Sequence, residues 1–526
     1  MSRNKTIVLA FLLTLPVMLF LIHHYVSHSP ELKPTGFTTD ENVLYMSYAH
    51  QYLDQEKFSP FYSNPFDGNP QSPKIYFQPV NAIFVPLLKT GADPGLVFSL
   101  FGLLMAFCCV YMGIRIIQHL LPNNKYQSLI ALLFTWGGGL TAITGIIVSF
   151  ITSGELSSSW LDTIYIADPA NGWWGLNWGR ILFIPLEAYY HFLFLLCIYL
   201  ILKKRWVGAG LAGFLLAASH PFTGMEYLII LWEWIAIEKS FYKNKSIPWW
   251  FIVVSGIVIT LDIYYYLSYL PSFPEHNQLF NQYSVAWTYS FRVFIPAYVI
   301  VALISYATLK VKKSISRFLE FPHQRLFLTW AVVSFLLSKH EWFMKPMQPI
   351  HFTRGYVWAG LFLLSIPGLL WLIEYFKKTA LRKWVFAGFL IIFLSDNTLW
   401  ITNILKSKSK IESEGYLTKE TREVFDYLKK STTRNDLLIG NDRLVSYMAN
   451  VYSSANAWVS HPYNTPNRED RITIMNNYLQ SGNRPPEWVS RRLIIVINKQ
   501  VTSVPVLPSL LATKLFENSH YVLFTP

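Results

Sequence analysis

Three cysteines in 526 residues leave little scope for sulfur chemistry, and Cys108, Cys109 and Cys197 all sit inside apolar runs. That placement excludes a disulfide framework and a thiol-based metal motif, and the three read as small apolar helix residues. Charge is scarce too. Asp, Glu, Lys and Arg make up 14% of the chain, against about 25% in an average soluble domain. No internal repeat and no low-complexity tract is present. The net charge of +13 does not gather into a stripe or an arm, which excludes nucleic acid as the partner. The cations fall instead in short clusters between apolar runs, as in the cytoplasmic loops of membrane proteins.

What is there is apolar: 52% of the residues are hydrophobic. Charge density nearly doubles after residue 405, so residues 1–405 read as a lipid-embedded body and 406–526 as a solvated domain. The start is basic (Arg3, Lys5), and the apolar stretch Ile7 to Val26 is long enough to span. His23, His24 and Tyr25 stand where a small-residue cleavage site would be, so an uncleaved first span is expected. Further spans are expected near Gly95–His119, Tyr126–Phe150, Ile181–Leu202, Pro248–Leu270, Trp287–Leu309, Leu326–Ser338, Gly355–Phe376 and Trp384–Leu405. Between Trp206 and Ile237 the run is broken at His220-Pro221, where proline removes a helix hydrogen bond. A hairpin of two short helices is the reading adopted, because one long kinked helix would reverse everything downstream. The expected fold class is mostly α, a polytopic bundle of about 10–12 membrane helices, with a small C-terminal α/β domain of three or four strands.

With the N-terminus inside, the inner loops Lys203-Lys204-Arg205, Lys239 to Lys245, Lys310 to Arg325 and Lys377 to Lys383 are all basic, and the outer loops 151–179 and 271–285 hold no Lys or Arg. That is the positive-inside pattern. It places the first loop, 27–93, and the C-terminal domain on one outer side of a cytoplasmic membrane. Lys339, Lys345 and Arg354 run against the bias, and cations so placed are expected to have partners.

Asp40 and Glu41 open a helical pattern that continues through Tyr45. Acids there suit the helix dipole, and a carboxylate at the water–lipid boundary also suits proton abstraction from a hydroxyl. Adjacent carboxylates point to different faces, so one base at most is expected. In the second outer loop, Asp162 and Asp168 fit acceptor binding or a divalent cation, Mg or Mn, through oxygen ligands, although no tight ligand spacing singles out a metal. Trp173 and Trp174 fit an interfacial belt or stacking platforms for a sugar. Arg354 leads the candidates for a phosphate contact, with Lys339, His340 and Arg180 behind it; as snorkelling anchors the same residues would only mark helix ends. His220 reads as a kink or a substrate contact, and His461, in the polar turn Ser460 to Pro466, as a cleft residue or a loop former.

The acidic pair followed by Tyr45 in a long first outer loop, His220-Pro221 and the His461 to Pro466 segment together resemble the GT-C superfamily of integral-membrane glycosyltransferases. The likeness is to bacterial relatives of protein O-mannosyltransferases and to lipid A aminoarabinose transferases, and it covers the whole chain as architecture. It implies a polyprenyl-phosphate-linked sugar as donor and transfer outside the cytoplasmic membrane with inversion. The acceptor would be a glycan, a lipid or a protein. By the same resemblance Asp40 is the base and Glu41 its alternate. One departure is clear: Trp173-Trp174 is followed by Gly175, not by the Asp of the oligosaccharyltransferase motif, which argues against transfer of whole glycans to asparagine. A transporter or flippase of a lipid-linked saccharide and a non-catalytic envelope assembly protein are the other classes the pattern admits.

Overall fold

The computed structural model describes residues 2–53, 59–153, 177–282, 286–311, 315–378, 380–406, 408–501 and 513–526. Asp162, Asp168, Trp173 and Trp174 lie outside the described residues. In chain order the main helices are α1 (Arg3–Val26), α2 (Asp40–Leu53), α3 (Pro94–Leu120), α4 (Gln127–Trp136), α5 (Thr141–Ser153), α6 (Pro185–Leu202), α7 (Trp206–Ser219), α8 (Pro221–Ser240), α9 (Trp249–Tyr264), α10 (Phe291–Val311), α11 (Pro322–Ser338), α12 (Tyr356–Phe376) and α13 (Ala380–Lys406). Among the described residues, seven helices are long and apolar enough to cross a membrane. The pair α4 and α5, bent by 47° at its break, adds an eighth if it forms one span. The chain is a multi-pass membrane protein.

Two compact units divide it. The first takes in Met1–Phe20, Gly102–Ile263 and Val285–Ser407; the second takes in Leu21–Phe101, Tyr264–Ser284 and Lys408–Pro526.

In the first unit, α7 and α8 form the hairpin expected at His220-Pro221. Proline occupies the first turn of α8, where its missing N–H costs nothing, and His220 Nδ1 caps the helix by accepting from Thr223 N–H at 3.1 Å. The two helices run back alongside each other. A Cβ at Gly224 would stand 2.5 Å from Ala217 Cα, so only glycine allows that approach. Buried rings fill the neighbouring layer, with Phe194 4.6 Å from Tyr356 and 4.8 Å from Trp330.

The break between α4 and α5, at Gly137-Gly138-Gly139, is held by α13. Asp396 Oδ1 accepts from Ala142 N–H at 2.7 Å, and Oδ2 accepts from Gly139 N–H at 2.9 Å and Thr141 N–H at 3.4 Å. Asn397 Nδ2 donates to the Trp136 and Gly137 carbonyls at 2.9 and 3.0 Å. A helix broken in lipid leaves backbone groups that no water satisfies; these two side chains satisfy both ends.

The second unit carries α14 (Lys419–Ser431), α15 (Arg443–Tyr452) and α16 (Arg468–Ser481) around a sheet. Its strands are β1 (Leu32–Pro34), β2 (Tyr416–Thr418), β3 (Leu437–Gly440), β4 (Asn456–Ala457), β5 (Leu493–Asn498), β6 (Thr513–Glu517) and β7 (Tyr521–Thr525). Five of them form one sheet in the order β4-β3-β5-β7-β6, parallel at β3 and antiparallel around β7. That is one strand more than the apolar runs suggest, because β4 is two residues long and β6 is largely exposed. Trp458, Trp488, Tyr478 and Leu479 pack on Leu437, Ile439 and Ile495 as its core. β1 pairs antiparallel with β2, Leu32 opposite Thr418, so the first loop and the C-terminal domain are built into one unit.

Candidate functional site

Arg354 is the centre of a buried polar cluster in the first unit. It sits just before α12 and is 3% exposed. Its Nη1 donates to Glu187 Oε1 of α6 and its Nη2 to His351 Nδ1; His220 Nε2 lies 3.1 Å from Nη1. The rings are themselves held. His351 stacks on Phe222 at 4.5 Å, and Tyr190 lies 4.5 Å from His220. His191 Nε2 meets the Arg354 carbonyl at 2.6 Å while its ring stacks on Tyr356 at 4.5 Å. Gly355, with φ +78, lets the chain turn directly after Arg354, and a Cβ there would stand 2.9 Å from Trp178 Cα. Three separated stretches, around 187, 220 and 351–354, therefore meet at one guanidinium.

Glu226 of α8 belongs to the same interior. It is 0% exposed, and neither carboxyl oxygen has a hydrogen-bond partner among the described residues. Ser334 stands beside it short of hydrogen-bond geometry, and Arg354 is the charge that acts on it. An ionisable group this deep in a membrane bundle is a functional candidate by default. The guanidinium fork suits a phosphate in two-point contact, and such an anion would compete with Glu187 for it.

The other cations proposed for phosphate are elsewhere in the first unit. Lys339 is buried, donates to the Tyr289 carbonyl, lies 3.9 Å over the Tyr289 ring and pairs with Glu341 at 3.3 Å. Both ring nitrogens of His340 serve its own loop: Nδ1 donates to the Leu337 carbonyl at 2.6 Å, and Nε2 accepts from Met347 N–H at 2.8 Å. Arg180 Nη2 donates to the Asp396 carbonyl at 3.2 Å. Of the three cations expected to have partners, Arg354 and Lys339 pair with acids, while no acid pairs with exposed Lys345 among the described residues.

In the second unit, Asp40 and Glu41 are exposed at the head of α2. Asp40 Oδ1 accepts from Glu41 N–H at 3.0 Å, and the Asp40 carbonyl accepts from Tyr447 OH at 2.7 Å. Tyr45, half-buried, lies 6.4 Å from Phe98 and 6.2 Å from Tyr48. Tyr447 also meets the His461 ring, at 5.3 Å, and Phe66 packs on that ring at 5.2 Å. The acidic motif and the His461 turn, some 400 residues apart, are therefore bridged by one tyrosine. Among the described residues no group of three His, Cys, Asp or Glu could hold a metal.

His461 Nδ1 accepts from the N–H groups of Tyr463 and Asn464 at 3.0 and 3.1 Å. Burial, and then the Arg443 charge, push its pKa down to about 3, below the ~6.5 of a free imidazole. The fold favours the neutral ring, so its contribution is complete above about pH 6.5 and is lost as pH falls from there toward the folded value. The unfolding temperature of the full chain should drop across that window, and His461→Asn, which does not titrate, should flatten the slope.

Sequence reading missed Glu226 as well as Asp396 and Asn397, and it assigned Glu187 and His191 to no site. The available signal was the same for each: a polar or ionisable residue inside an apolar run.

No protein-family model matches the chain, and no curated protein does. Among solved structures the chain is similar to ArnT from Cupriavidus metallidurans in the apo state, with TM-score 0.48, 10% identity, and coverage of 100% of this chain and 98% of that one. The same protein bound to undecaprenyl phosphate gives TM-score 0.47 at 10% identity and the same coverage. The archaeal oligosaccharyltransferase AglB from Archaeoglobus fulgidus, in complex with an inhibitory peptide and a dolichol-phosphate, gives 0.46 at 10% identity over 94% of this chain and 70% of that one.

Proposed function

We propose that the chain is a membrane glycosyltransferase of GT-C type that moves a sugar from a polyprenyl-phosphate donor to an acceptor hydroxyl at the extracytoplasmic face of the cytoplasmic membrane. The observation that carries the reading is the buried Arg354 cluster, which gathers Glu187, His220 and His351 around one guanidinium. The acidic motif of the first loop, shared in pattern with that superfamily, supports it. In this reading Arg354 holds the donor phosphate. Asp40 takes the proton from the acceptor hydroxyl, the hydroxyl oxygen bonds to the anomeric carbon, and the carbon–oxygen bond to phosphate breaks. Polyprenyl phosphate leaves with the electron pair, and the sugar carbon inverts. The acceptor is a glycan, lipid or protein, and Asp162 and Asp168 would assist its binding or hold a divalent cation.

The test supplies labelled polyprenyl-phosphate sugars to the purified protein and follows loss of sugar from the lipid. Asp40→Asn is expected to slow that loss by about 10²–10⁴-fold, the range for a positioned general base. An unchanged rate would remove Asp40 from the mechanism. A second reading, transport of a lipid-linked saccharide, is favoured by the broken α4–α5 helix and by the intramembrane Glu187–Arg354 pair, both features of transporters. It predicts transfer of label across a proteoliposome bilayer with the sugar–phosphate bond intact.

A further inference from the structure

At the end of the first unit marked by the basic loops lies a cavity of about 480 Å³, whose walls include Lys204, Trp206, Trp234, Tyr242, His323 and Arg325. Its floor is rigid. Arg325, 5% exposed, pairs through Nε and Nη2 with both carboxyl oxygens of Glu238, the Nη2–Oε2 contact being 3.0 Å. It also lies 3.6 Å over the Tyr242 ring. Asn244 Nδ2 closes the set on Glu238 Oε2 at 2.6 Å. That pair is neutral as a unit. Lys204 remains beside the single further acid of the walls, Glu320, and no acid pairs with Lys204 among the described residues.

Two helices also begin at this cavity. α7 starts at Trp206 and α11 at Pro322, and neither has a side-chain cap. At α7 the uncapped N–H groups and the dipole together favour an anion; at α11 the first residue is proline, and the Gln324 and Arg325 N–H groups bond the Phe321 carbonyl, so the dipole is its main contribution.

Lys204 stands at φ +54, a left-handed conformation that costs a residue with a Cβ about 1–2 kcal/mol and glycine almost nothing. A lysine at that position retains a cation at the cavity in spite of the strain. The loop that supplies Tyr242, Asn244 and Ser246 also exposes Phe241 and Trp249, 80% and 74% accessible, beside Lys239, Lys243 and Lys245. Exposed aromatics among basic residues mark the depth of lipid headgroups.

We propose that this cavity binds the phosphate headgroup of an anionic membrane lipid, with Lys204 as the principal cation and the start of α7 as backbone donor. The site is independent of the sugar-transfer reading and stands at the opposite charge pole of the sequence from the outer loops. Native mass spectrometry of the full-length protein, titrated with phosphatidylglycerol or phosphatidylcholine, tests it. Phosphatidylglycerol should bind preferentially. Lys204→Gly should weaken that binding about fivefold, the worth of one cation near a headgroup, while keeping the unfolding temperature at or above that of the parent because glycine suits the backbone. Lys204→Glu should weaken it further, and Lys383→Glu, a charge reversal in the first turn of α13, should leave it unchanged. Equal binding of the two lipids, or equal losses for Lys204→Glu and Lys383→Glu, would overturn the proposal. So would displacement of the lipid by inorganic phosphate at matched concentration, which would make free phosphate the ligand.

Discussion

Arg354→Ala is expected to lower sugar release from the lipid donor by at least about a hundredfold, the effect of removing one preorganised donor from a developing anionic charge. It should also destabilise the protein by about 3–5 kcal/mol, because the substitution leaves Glu187 buried without its counter-charge. The two effects are separable. Glu187→Gln combined with Arg354→Gln removes both charges and keeps side chains of similar length, so the combined variant should recover most of the lost stability. It should recover none of the turnover. Arg354→Lys keeps the charge but loses the planar fork, and its rate should fall between those of the parent and the alanine variant. Glu187→Gln alone gives the guanidinium no competing carboxylate, so donor binding should tighten even as the unpaired arginine costs stability. Thermal unfolding in detergent and the rate of label loss read these quantities independently. Turnover at the parent rate in the combined variant would show the cluster to be a structural ion pair and nothing more.

The helices were the most legible part of the chain because lipid imposes a simple rule: a span must be long and apolar, and nearly every run of that kind became a helix within a few residues. His220-Pro221 was legible for the same reason, since proline leaves few options inside an apolar run. Topology carried one inference further. Of Lys339, Lys345 and Arg354, the cations that the positive-inside pattern expected to have partners, Lys339 and Arg354 pair with Glu341 and Glu187, and Lys345 has no acidic partner among the described residues. The identity of the Arg354 partner was not legible, because 167 residues separate it from Glu187 and nothing local connects them. His340 illustrates a different limit. Its composition suggested a donor to phosphate, but which way an imidazole faces is decided by its loop, and both nitrogens face backbone. β4 escaped because two residues carry no periodicity. Asp396 and Asn397 escaped because a polar pair near the middle of an apolar run reads as a minor blemish until the ends of a broken helix are placed against it.

That pair gives the other large expected effect. Asp396→Ala should lower stability by about 3–5 kcal/mol: it deprives three backbone N–H groups at the start of α5 of a charged acceptor, and hydrogen bonds to charged groups contribute about 1.5–3 kcal/mol each before their mutual dependence is allowed for. Asp396→Asn retains one acceptor oxygen and the shape but loses the charge that complements the helix start, an interaction of about 0.3–2 kcal/mol, so its cost should be clearly smaller. Asn397→Ala leaves the carbonyls of Trp136 and Gly137 without this donor and should fall between them, since a neutral donor is lost rather than a charged acceptor. The ranking, read as unfolding temperatures of the three variants in one detergent, decides the physical cause. If Asp396→Asn proves as damaging as Asp396→Ala, the field of the carboxylate at the helix start is what matters. If it is nearly silent, the geometry of acceptance matters, and the break is held by shape. Either result bears on Arg180 as well, whose guanidinium rests on the Asp396 carbonyl: an α13 backbone that shifts when its side chain loses the α5 terminus moves that arginine with it.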